Sequence, residues 1–155
     1  MRSSLKVGLV IGVSCAVWQC IMVAAGWLTN PRLFPLFYLV ILIEVAILVW
    51  GLKQTAALQT YGGQLITGTG ASLIAGGFLF AFSLLLTVVF FPGILGEMKA
   101  MQAQLLRDAG RTEAEVSAAL ALQTPLIQAV QGLIGTVVTG VLASLVIATF
   151  LRKKA

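Results

Sequence analysis

The stretch "YLVILIEVAILVW", Tyr38 to Trp50, decides the fold. Every residue in it is apolar or aromatic except Glu44. A strand buried on both faces would end within about eight residues, whereas this run extends upstream to Leu33 and downstream to Leu52. That is about 20 residues, which at about 1.5 Å of helical rise each spans a hydrocarbon layer of about 30 Å. Thirteen Leu, Ile, Val and Phe residues between Leu33 and Val49 surround the one carboxylate. At about −0.3 to −0.6 kcal/mol each they outweigh a central charge of about +3 kcal/mol, so the segment is expected to insert with Glu44 in its middle.

Working outward, three more segments have the same character: 7–28, 65–91 and 126–151, beside 33–52. The 155 residues are 59% hydrophobic and 10% charged, too few polar groups to cover an apolar core in water. The first segment, preceded by Arg2 and Lys6, outruns the h-region of a signal peptide and ends at Trp27, Asn30 and Pro31, so it is read as a retained helix. Trp27 and Trp50 are expected as interfacial anchors. The reading is all-α: one integral membrane domain over residues 1–155, a four-helix bundle with an extracytoplasmic helical hairpin, 93–124, between the third and fourth helices.

Orientation follows from charge. Arg2, Lys6, Lys53, Arg152, Lys153 and Lys154 fall on one side with no acid among them. Arg32, Lys99, Arg107 and Arg111 fall on the other, balanced by Glu97, Asp108, Glu113 and Glu115. The positive-inside rule then places both termini in the cytoplasm. The net charge of +5 is a topology signal, and nucleic acid is not an expected partner.

Helix packing is expected from small residues four apart, which let backbones approach where lipid offers no hydrophobic drive. Gly8, Gly12 and Ala16 form such a row in the first helix, Gly68 and Gly76 in the third, and Gly132 and Gly140 in the fourth, while the second must pack through Leu and Ile. Gly62 and Gly63 mark a turn before the third span. In the 93–124 segment, Ile94, Met98, Met101, Leu105 and Ala109 recur at helical spacing and Gly110 follows as a stop. Thr112 and Glu115 have the spacing of a capping box that starts a second short helix, 113–123, and Thr124 with Pro125 starts the fourth span. Met98, Met101 and Leu105 are the candidate partner-docking face, because a Met-rich surface adapts to varied partners; the plainer alternative is that this face rests on the bundle or headgroups.

Several chemistries lack their residues. The chain has no histidine, and Cys15 and Cys20 lie five apart within one helix as packing residues. No cofactor, metal or catalytic residue is expected. The stretch "GLKQTAALQTYGGQLITGTGASLIAGG", a long third helix ending in "FFP", the insert "QLLRDAGRTEAEVSAALA" and the terminal "FLRKK" resemble an uncharacterised bacterial family of small four-helix membrane proteins, a domain of unknown function numbered forty-one ninety-nine. The resemblance implies the same topology, in a bacterial inner membrane, and no established activity.

Glu44 is the one intramembrane ionisable group, with no Lys or Arg at its depth. Gln19, Thr136 and Thr139 are its candidate partners, and the simplest expectation is that the neutral acid bonds one of them and stitches the bundle. The expected function is that of a non-catalytic structural or accessory subunit, its partners being the bilayer, other membrane subunits or itself. The alternative is a small transporter or channel that passes protons or cations by way of Glu44.

Overall fold

A computed structural model describes residues 2–151, so the expected basic tail at Arg152, Lys153 and Lys154 lies outside the described residues. The helices in chain order are α1 (Arg2–Ala24), α2 (Leu39–Thr55), α3 (Tyr61–Leu85), α4 (Ile94–Asp108), α5 (Glu113–Ala121) and α6 (Pro125–Leu151), with no strand among the described residues. A single 3-10 turn, Phe34–Tyr38, leads into α2, and a π-helical turn, Leu86–Phe90, continues α3. Four stretches are long and apolar enough to cross a membrane: Ser3–Ala24, Phe34–Thr55, Tyr61–Phe90 and Pro125–Leu151. The burial pattern agrees with a bilayer as solvent. Large apolar side chains such as Leu42, Ile66, Leu142 and Val146 face outward, while Gln64, Ser72 and Ser144 are completely enclosed.

Helix ends depart from the sequence reading where capping chemistry decides them. The first helix stops at Ala24, short of Leu28, because Gly26 takes the left-handed conformation (φ +68°). Its N–H then bonds Val23 O and that of Trp27 bonds Met22 O, closing a Schellman motif. Trp27 therefore sits in the following turn, against Met22 and Leu28, instead of in the helix. Gly62 and Gly63 are not a turn but the first turn of α3, since the Thr60 hydroxyl accepts the Gly63 N–H at 3.4 Å and caps the helix there. In α6, Thr124 caps as the sequence suggests, accepting the Ile127 N–H at 3.2 Å.

The segment between α3 and α6 is a helical hairpin. Gly110 (φ +78°) ends α4 in a second Schellman motif, with Gly110 N–H on Arg107 O and Arg111 N–H on Leu106 O. The Thr112–Glu115 capping box is complete in both directions. Arg107 clasps Glu113 through two bonds of 2.7 and 3.0 Å, and Ala103 and Val116 are buried.

Helix α3 is central. It packs parallel to α1, with Gly8 against Ala71 and Ile74 and Gly12 against Phe78. It packs antiparallel to α6 through a reciprocal fit of small residues: Ser144 enters the notch at Gly68, Ser72 enters the notch at Gly140, and Leu133 with Val137 meets Gly76. The second helix also has a close approach, Gly51 against Val7 of α1, which the expectation of Leu and Ile packing did not include. One core cluster, including Ile11, Leu48, Leu52, Ala71 and Ala75, fills the half of the bundle near the chain termini. A second, with Met22, Leu28, Leu86 and Ile94 at its centre, joins the other end of the bundle to α4.

Candidate functional site

Between these two clusters the packing opens. The row Gly140, Ser144 and Ala148 of α6 is fully buried, but the same face continues through Thr136 and Gly132, where the helices separate. The cause is on α3. Beyond Gly76 its facing side presents Leu79 and Ser83, with no further glycine to admit a neighbour. Gly132 is thus not a packing residue: a side chain added there would meet nothing within 4 Å. The resulting cavity has a volume of about 480 Å³.

Glu44, Gln19, Thr136 and Thr139, on three helices, all line this cavity. Their expected hydrogen bonds are not made. Glu44 is 4% exposed and its Oε1 has no partner, because the cavity lies between the carboxyl group and the amide and hydroxyls that were expected to reach it. At the Gly140 notch, Glu44 Oε1 comes beside Ser72, whose hydroxyl is likewise buried without a partner. Beyond Glu44 toward the termini the bundle is closed: Leu48, Gln64, Ser72 and Ser144 have no exposed surface. The carboxylate therefore forms the floor.

One wall is aromatic. The 3-10 turn before α2 presents Phe34, Phe37 and Tyr38, with neighbouring ring centroids 6.1 to 6.3 Å apart. Trp18 of α1 fixes that turn by donating its indole N–H to Leu36 O at 3.2 Å. The opposite wall is the Gln128, Gln131, Gly135, Thr136 and Thr139 face of α6. Ser83 and Thr87 join from α3, where the Thr87 hydroxyl donates to Ser83 O at 2.8 Å across the π-helical turn. At the hairpin end, Gln123 donates its amide to Gln102 beside the cavity. No Lys or Arg lines it.

Met98 also lines this space and packs on the second cluster, so it is not on an outward docking face. The turn from Gly93 aims that side of α4 at Met22 and Leu28. Met101 is half-buried and Leu105 is 41% exposed. Sequence reasoning passed over Gln128 and Gln131, although they precede Gly135, Thr136 and Thr139 at helical spacing and so mark one polar face on a membrane helix. It gave no sign of the unpartnered hydroxyls of Ser72 and Ser144. Among the described residues there is no cluster of three or more His, Cys, Asp or Glu that could hold a metal ion.

No curated protein and no solved structure matches the chain. A family model does, over residues 6–153, and with nearly every residue of the bundle and hairpin inside that match, the chain belongs to the family described as "Protein of unknown function (DUF4199)".

Proposed function

We infer that this multi-pass membrane protein is a non-catalytic solute-binding protein, of small-transporter or receptor type, whose working group is Glu44. One observation carries the reading: a carboxylate 4% exposed, without a partner on Oε1, forms the floor of a cavity of about 480 Å³. Intramembrane acids are costly to insert and persist where they face a functional space. A purely structural acid would have found one of the hydroxyls or amides nearby. The closure below Glu44 makes the site one-sided, as alternating access requires of a transporter in one of its states. The charge distribution supports a bacterial inner-membrane location with both termini cytoplasmic, so that the hairpin and the hairpin end of the cavity face the extracytoplasmic side.

Cysteine accessibility tests the reading. With Cys15 and Cys20 replaced by alanine, Thr136→Cys in proteoliposomes is expected to react with a water-soluble methanethiosulfonate, and Glu44→Gln to preserve folding. A Thr136→Cys thiol that resists the reagent from both sides would refute a solute site there. Leu105 and Leu122, 41% and 67% exposed on the hairpin, favour a second reading as an accessory subunit docking through that surface. A particle of fixed composition extracted from the native membrane in mild detergent would support it, and a lone chain would count against it.

A further inference from the structure

Resting on that reading of the site, we propose that the cavity binds a small amphipathic amine, with the ammonium group on Glu44 and the apolar body against the aromatic wall. Four observations select this class. The carboxylate offers acceptors only, and no Lys or Arg lines the cavity to balance it, so the balancing charge must be brought by a ligand or a proton. Phe34, Phe37 and Tyr38 supply ring faces along the way to the floor, which suit an ammonium in transit and an apolar body at rest.

A metal cation is a poor fit. Calcium takes six to eight oxygen ligands and magnesium a near-ideal octahedron, and this cavity holds one carboxylate in a mainly apolar lining. A bare proton needs no space, whereas about 480 Å³ falls within the range of small-molecule pockets, about 300 to 1,000 Å³. The Gln102 and Gln123 amides at the hairpin end can bond a polar group at the far end of the ligand, and the buried Gln123 Oε1 has no partner.

The test is calorimetric titration of the full chain in lipid nanodiscs with phenethylamine and with 2-phenylethanol, which has the same skeleton and no positive charge. Phenethylamine is expected to saturate at one site per chain and to bind about tenfold or more tightly than the alcohol, as a charge-assisted bond at the floor implies. Glu44→Gln is expected to remove that preference. Gly132→Leu, which leaves the carboxylate in place and enters open space, is expected to block both compounds. Equal binding of amine and alcohol, an undiminished preference in Glu44→Gln, or no saturable binding of the amine would overturn the assignment. If Thr136→Cys nevertheless reacts with the reagent, only the amine assignment falls; if it does not, the solute site falls with it.

Discussion

The Gly8 contact allows the packing between α1 and α3 to be measured. A methyl group added at Gly8 would lie 2.5 Å from the Ala71 carbonyl oxygen and 2.8 Å from Ile74 Cβ. Ordinary contact begins at 3.4 Å, so the methyl is about 0.9 Å too close to a backbone atom that cannot rotate away. Helix α1 must move off α3 by about that distance, at an overpacking cost of about 1–3 kcal/mol. Alanine also has a higher helix propensity than glycine by about 1 kcal/mol, which would blur a single measurement. Gly132→Ala supplies the correction, since it gains the same propensity and meets nothing within 4 Å. The difference between the two variants isolates the contact. At about 2–4 °C per kcal/mol for a chain of this size, Gly8→Ala should unfold about 2–12 °C below Gly132→Ala in the same nanodisc, followed by circular dichroism. Midpoints within about 1 °C of each other would refute the close approach of α1 and α3.

Three other outcomes are expected. Thr112→Ala removes the capping box and should cost about 1 kcal/mol of local stability, read as faster hydrogen exchange at the Glu113 to Val116 amides with the bundle unchanged; unaltered exchange would deny the cap a role. The hydrogen bonds from the Arg107 guanidinium hold the Glu113 carboxyl below the usual glutamate range, and the Thr112 backbone N–H does the same for Glu115. Their contribution is complete above the ordinary glutamate pKa of about 4.3 and is lost as the pH falls through the lowered values, so exchange across 107–116 should rise only on acidification below about pH 4. Ser144→Ala deletes a fully buried hydroxyl without a partner and should leave stability unchanged or raise it by up to about 1 kcal/mol, whereas a loss of more than about 1 kcal/mol would reveal a bond to that oxygen.

Much of the bundle is legible in the sequence because its determinants are local. Four apolar runs give four spans, Gly110 ends α4, and Thr112 with Glu115 starts α5 through bonds between residues only three apart. The depth of Glu44 and the residues that share its cavity follow from rise per residue alone. Their failure to bond follows from something no single helix contains. The separation of α6 from its neighbours arises where the glycine row of α3 ends and Leu79 begins, so the row Gly132, Thr136, Gly140 and Ser144 reads as one packing stripe yet is half contact and half cavity lining. The same limit explains Met98. Helical spacing identifies an apolar face on α4, but only the turn through Pro92 and Gly93 decides that this face meets Met22 and Leu28.

The π-helical turn at Leu86–Phe90 carries a consequence for chain direction. Such a turn accommodates one residue beyond the α-helical count, and one residue of helix corresponds to about 100° of rotation about the axis. Deleting a single residue between Val88 and Phe90 would return the segment to α geometry without breaking it, and would swing the heading of everything beyond Phe91 by about that angle. Ile94 would leave the Met22 and Leu28 cluster, and the roof would come off the chamber while its floor stayed whole. The widened turn thus acts as the compass bearing of the hairpin, fixed by the residue count and independent of how tightly the four spans below it hold together.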